Sequence, residues 1–123
     1  MRRKMLKSKI SRATVTEACV DYEGSISIDP ALMEAAEIVP YEQVHVLDAT
    51  NGERLVTYAI EGEPGQICMN GAAALRVTVG DTVIILAYAD FEPGEWQGHS
   101  PAVVKVDAAN RIIENAGVKG CDA

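Results

Sequence analysis

The chain has 123 residues, about one domain, and 48% hydrophobic against 24% charged residues gives it enough apolar material for a core and excludes a disordered polymer. No apolar run approaches the ~18 residues that a membrane-spanning helix requires. A net charge of −7 and an aromatic content of 5% argue against nucleic-acid partners, which need a basic face and usually a stacking surface.

The charge is unevenly spread. Residues 1–12 carry Arg2, Arg3, Lys4, Lys7, Lys9 and Arg12 and no acid, while the rest of the chain holds five cations against all 18 acids. The arm reads as a solvated basic tail or as part of a local anion site. A secretory signal is excluded because Ala13-Thr14-Val15-Thr16-Glu17 follows instead of an apolar segment. Residues 13–22 are β-rich and stop at Glu23-Gly24. Asp29-Pro30 has the form of an N-cap followed by proline at the first helical position, opening a short helix over 31–36. Residues 43–48 alternate apolar and polar, as in a strand with one buried face. Asn51-Gly52 predicts a type I′ turn, with residues 54–60 as the returning strand. Asn70 to Leu75 suits a single helical turn. Residues 82–88 form a continuous apolar run, as in a strand buried on both faces. Residues 92–100 read as loop, 102–106 as a short strand, and 108–123 as a loose tail within a single 1–123 domain. Many short strands with little helix point to a small closed β-barrel.

Cys19, Cys68 and Cys121 form no CxxC pair, and His45 and His99 have no motif around them. A metal site and a nucleophilic triad are therefore both poor expectations, and the three thiols suit a reducing cytoplasm. No phosphate-binding loop or dinucleotide fingerprint is present.

Tyr22-Glu23-Gly24-Ser25 is the junction with chemical content. A Gly-Ser pair alone is usually a turn. A serine after glycine can also attack the preceding carbonyl, because glycine leaves that carbon sterically open and tolerates strained backbone. The resulting ester can eliminate and, after loss of ammonia, leave a pyruvoyl group in place of Ser25.

The order Lys9, Arg12-Ala13-Thr14-Val15-Thr16, Tyr22-Glu23-Gly24-Ser25, Ile28-Asp29, Asn51-Gly52, Arg54, Thr57-Tyr58-Ala59-Ile60, Asn70-Gly71-Ala72-Ala73-Ala74, Gly80-Asp81, Val83-Ile84-Ile85 resembles the pyruvoyl-dependent aspartate 1-decarboxylases, from residue 1 to about residue 107. The resemblance implies a six-stranded double-psi β-barrel, a homotetramer in the cytoplasm, and cleavage between 24 and 25 into a 1–24 β chain and a 25–123 α chain. It implies a covalent pyruvoyl cofactor derived from Ser25 that captures the substrate amine as a Schiff base, with no metal, and production of β-alanine for pantothenate and coenzyme A. By the same resemblance Gly24, Ser25 and Thr57 serve processing, and Tyr58 donates a proton. Lys9, Arg54, Thr57, Gly71, Ala72 and Ala73 would contact substrate, with Tyr22 and Asn70 in support. Such roles are physically coherent, since a substrate with two carboxylates needs fixed cations and Arg54 can grip a carboxylate in bidentate fashion. Singly, Arg54 also reads as a solvated strand cation, Tyr58 as a packing residue, and 70–74 as a helix start.

Two positions depart from the family pattern. Ser11 and Leu75 stand where histidines are common, which removes groups that titrate near neutrality. A pyruvoyl decarboxylase for another amino acid, and an uncleaved barrel that only binds a ligand, are the alternative expectations. An accessory activator of processing is compatible with the pattern but has no residue signature.

Overall fold

In a computed structural model, the described residues are 1–117. The order is β1 (Arg3–Thr14), β2 (Glu17–Cys19), β3 (Ser25–Ile28), α1 (Pro30–Ala35), β4 (Gln43–Asp48), β5 (Arg54–Glu61), β6 (Ile67–Asn70), a 3₁₀ helix (Gly71–Arg76), β7 (Thr82–Phe91), α2 (Pro93–Trp96), β8 (Ala102–Val106) and β9 (Ile112–Gly117). The strands run in the order β2-β6-β3-β5-β4-β7-β1-β8-β9. The architecture is mainly β with short helices, in agreement with the double-psi barrel expectation. The six consecutive strands β6-β3-β5-β4-β7-β1 supply most of the core, including Ile10, Ile26, Ile28, Val44, Val46, Ala59, Ile67, Met69, Val83 and Ile85. Each fully buried Val, Ile or Met side chain among them contributes roughly 1.5–3 kcal/mol. No helix among the described residues is long and apolar enough to cross a membrane.

The basic arm is not a tail. It forms β1, antiparallel to β7 and parallel to β8. Arg2, Lys4 and Lys7 meet Glu92, Asp90 and Glu42, so half of its six cations are locally matched. Arg12 adopts a left-handed φ of 62° where the β1–β7 register shifts, the geometry of a bulge. The strand read over 13–22 is divided. Val15 N–H donates to Asp81 O and Thr16 N–H donates to Ile67 O, which carries the chain from β7 across to β6.

Helix α1 begins as its sequence implies. Asp29 Oδ1 accepts from Ala31 N at 2.8 Å, Pro30 occupies the first turn, and Leu32 and Met33 are buried. Strands β4 and β5 fall where alternation put them, but the connection is not a type I′ turn. That turn needs two consecutive positive φ angles, and here only Gly52 has one, at 82°. Instead Asp48 Oδ1 accepts from Thr50 N and Asn51 N, and Gly52 N donates to Asp48 O, forming a wider loop. Of the loose tail expected over 108–123, residues 118–123 lie outside the described residues, and looseness does not hold for Ile112–Gly117, where β9 pairs antiparallel with β8. Asn110, buried with φ of 62°, makes this possible: its amide bonds both backbone groups of Thr14 and the carbonyl of Gly65. Cys121 lies outside the described residues.

Asp48 is 2% exposed, and its Oδ2 is bonded to no donor while facing the Asp81 carboxyl. Burial and the neighbouring acid raise the Asp48 carboxyl above its ordinary range, whereas the hydrogen bond from Asp48 and the Thr78 N–H hold Asp81 below it. A carboxyl raised on folding keeps its proton more tightly in the native state, so stability falls as pH rises through its folded value. Asp48→Asn keeps the loop acceptor and places a donor against Asp81. It should melt higher than the parent at neutral pH, and the difference should shrink as pH falls into the carboxylate range, as scanning calorimetry across pH would measure.

Candidate active site

Ser25 opens β3, between β5 on one side and β6 on the other. Antiparallel register places Ser25 directly opposite Asn70, the last residue of β6. Both are buried, at 1% and 3% exposure. Asn70 Nδ2 donates to Ser25 Oγ at 2.9 Å and to Ser27 Oγ at 3.0 Å, while Cys68 Sγ donates to Asn70 Oδ1 at 3.2 Å. Ser25 Oγ itself directs a long hydrogen bond of 3.4 Å to Glu23 O. Asparagine suits the position before a helix, but the 3₁₀ helix receives no cap from it because this side chain is committed to the serines. Burial raises the Cys68 thiol above its ordinary value, with smaller contributions from Glu17 and Cys19.

The chain then turns through Gly71 at φ 69°. A Cβ built there would lie 2.7 Å from both N and Cα of Gly24 and 3.0 Å from Tyr22 O. Gly24 has open space around its own hypothetical Cβ and no positive φ. The steric demand for glycine at this junction therefore rests on residue 71 rather than on residue 24.

Two open cavities flank the Gly24–Ser25 linkage. One, of about 580 Å³, is lined by Gly24, Arg54, Thr57, Tyr58, Ala72 and Ala73, with Leu55, Val56 and Arg76. The other, of about 470 Å³, is lined by Tyr22, Glu23, Ser25, Tyr41, Tyr58 and Glu61 among others. Tyr58 belongs to both walls, and its ring lies 6.5 Å from that of Tyr41. Strand β5 thus presents Arg54, Thr57 and Tyr58 to the junction, and the 3₁₀ helix presents Ala72 and Ala73 from the opposite side. Arg54 has no carboxylate partner among the described residues, so its guanidinium is available to an anion.

The structure brings Gly24, Arg54, Thr57, Tyr58, Ala72 and Ala73 to one cavity, with Ser25 and Tyr22 on the adjoining one and Asn70 and Gly71 directly behind the linkage. Lys9 is elsewhere. It is half-buried on β1, opposite Leu86 and Val103, and lines neither cavity. Ser11, buried on the same strand, and Leu75, 73% exposed, also lie outside both. Sequence reasoning missed Arg76, which reaches the larger cavity while paired to Glu53 at 2.9 Å, and it missed Cys68 and Ser27. A cluster of polar residues in two short buried strands is the available signal for the last two. Among the described residues no group of three or more His, Cys, Asp or Glu is placed to hold a metal.

A serine hydroxyl fixed beside a glycine carbonyl, an open cavity bearing a free guanidinium, and a phenol between two cavities can together support acyl transfer at the linkage and carboxylate binding next to it. Gly71→Ala would drive a methyl group into the Gly24 backbone. Any chemistry at that linkage should then slow by at least about tenfold, since an ångström of misplacement costs that much or more. The fraction of cut chain by intact mass, with the melting temperature recorded in parallel, measures this.

Residues 1–113 match the family model described as aspartate decarboxylase. The chain is 58% identical over 112 residues to an aspartate 1-decarboxylase of Dehalococcoides mccartyi (strain CBDB1), covering 89% of this chain and 90% of that protein. It is 56% identical to the aspartate 1-decarboxylase of Syntrophus aciditrophicus, covering 91% and 98%. It is 50% identical to that of Syntrophobacter fumaroxidans, covering 98% of each chain.

Proposed function

This chain belongs to the aspartate decarboxylase family, and from that premise we propose that it cuts itself before Ser25 and then converts L-aspartate to β-alanine and carbon dioxide, supplying pantothenate and coenzyme A synthesis. The observation that carries the reading is the position of Gly24 on the wall of the cavity that also holds Arg54, Thr57, Tyr58, Ala72 and Ala73.

Processing uses the chain's own atoms. Ser25 Oγ bonds to the Gly24 carbonyl carbon, the Gly24–Ser25 C–N bond breaks, and the hydroxyl proton ends on the freed amine. Elimination releases residues 1–24 with a carboxylate terminus. Hydrolysis of the remaining unsaturated amine consumes one water and releases ammonia, leaving a ketone at residue 25. The surroundings suit the first of these steps: residue 25 is buried, Asn70 holds the attacking oxygen at 2.9 Å, and the Gly71 backbone closes the space behind Gly24. Once made, the pyruvoyl group supplies an electron sink next to the amino acid's α-carbon.

The other residues bind, orient and move protons. Arg54 takes a substrate carboxylate in a charge-assisted bidentate pair. Thr57 lies beside the scissile linkage and serves both processing and substrate contact. The small side chains of Ala72 and Ala73 leave room for a ligand against the 3₁₀ helix. The Tyr58 hydroxyl, on the wall of both cavities, delivers the proton that replaces the departing carboxyl. Lys9 stands outside both cavities of its own chain, so its substrate contact is made in the cavity of a neighbouring copy, within a homotetramer in the cytoplasm.

Intact mass under denaturing conditions should find two pieces, 1–24 and a pyruvoyl-capped 25–123, while Ser25→Ala stays whole. Turnover should be fastest with aspartate when it is compared side by side with glutamate and other amino acids; a dominant rate with another substrate refutes the specificity. Arg54→Ala should still be cut but lose about 100-fold in kcat/KM, the scale of one hydrogen-bonded charge pair. Normal turnover in that variant would remove Arg54 from substrate binding.

A further inference from the structure

Asn70 is satisfied at every side-chain position. Its two N–H groups go to Ser25 Oγ and Ser27 Oγ, and its carbonyl oxygen accepts from the Cys68 thiol. An asparagine amide can be reversed end for end with little change in shape, and serine hydroxyls tolerate either orientation because they both donate and accept. The serines therefore do not decide which way this amide points. Cys68 does. A neutral thiol has one proton to give and is a weak acceptor, so it favours Oδ1 as its neighbour and turns Nδ2 toward the serines. The Cys68 Sγ lies closer to Asn70 Oδ1, at 3.2 Å, than to its other acceptor, Met69 O, at 3.9 Å.

We infer that Cys68 is a positioning residue for self-processing, acting through the Asn70 amide to fix the rotamer and proton direction of Ser25. The inference rests on the reading that the chain cuts itself before Ser25. With Nδ2 donating to Ser25 Oγ, one lone pair is occupied, the hydroxyl proton turns to Glu23 O at 3.4 Å, and the other lone pair is left for the Gly24 carbonyl carbon. With the amide reversed, Ser25 would give its proton to Asn70 Oδ1 and settle in a different rotamer. Ser27 Oγ takes the second N–H and leaves the choice of orientation to Cys68. Cys68 is 4% exposed, and its burial keeps the thiol protonated and able to donate. Its conventional reading as a small buried hydrophobe does not account for a thiol aimed at an amide oxygen.

Three substitutions separate donor from volume. Cys68→Ser keeps a donor, Cys68→Val fills the space without one, and Cys68→Ala removes both. The rate at which the 1–24 and 25–123 pieces form is followed by intact mass after purification, alongside melting temperature. Cys68→Val and Cys68→Ala should cut about tenfold more slowly than the parent, whereas Cys68→Ser should stay within about threefold. Cutting at the parental rate by Cys68→Val overturns the inference, as does equal slowing in all three variants, which would mark a packing role. If Cys68→Val does not fold, the ratio of Cys68→Ser to Cys68→Ala decides. A parent chain that is never cut would instead refute the self-processing reading itself, and that outcome is visible before any variant is compared.

Discussion

The backbones of Gly24 and Gly71 lie closer together than a single methyl group would permit, and the rest of the site is arranged around that approach. Because residue 71 takes a left-handed φ and lacks a Cβ, the end of β6 can turn sharply into the 3₁₀ helix directly behind the start of β3. That turn places Asn70 opposite Ser25 and carries Ala72 and Ala73 round to face β5. Interiors pack too tightly to absorb an extra carbon against backbone, so the contact acts as a gauge for the separation of the two strands.

Electrostatics follow a similar economy. The chain is acidic overall, and four of the five ion pairs among the described residues are largely exposed at one or both partners. Pairs of that kind contribute little to stability. Arg54 takes part in none of these pairs among the described residues, and the lining of its cavity carries no acid. A cation surrounded by net negative charge elsewhere gives a local binding site without making the whole surface attractive to polyanions.

Much of this was legible in the residues. Alternation from Gln43 to Asp48 located β4, and Asp29-Pro30 located the start of α1, because those signals report one buried face and one cap respectively. Strands β3 and β6 are hard to see at four residues each: Ser25–Ile28 alternates too briefly to stand apart from a turn, and Ile67–Asn70, buried on both faces, does not alternate. The Asn51-Gly52 turn was mistyped because the Asp48 side chain, outside the dipeptide, takes over the loop's backbone donors. The strand β9 was hidden because its anchor is Asn110, whose amide bonds to residues far away in the sequence. For the site, ordered motifs identified the cavity-lining residues but not their supports. Cys68 is an ordinary apolar residue until its partner across the strand is known, and Lys9 belongs to the motif without reaching this chain's own cavity.

Strand β1 lies between β7 and β8, bonded along both edges, and β2 is bonded to β6. Severing the chain after residue 24 would therefore remove a covalent link without removing any sheet neighbour. The short piece would stay seated as an integral stave, held by three ladders and by the burial of Ile10, Ala13 and Val15. Folding must then precede scission, since a 24-residue fragment released early would have to find a slot enclosed on both flanks.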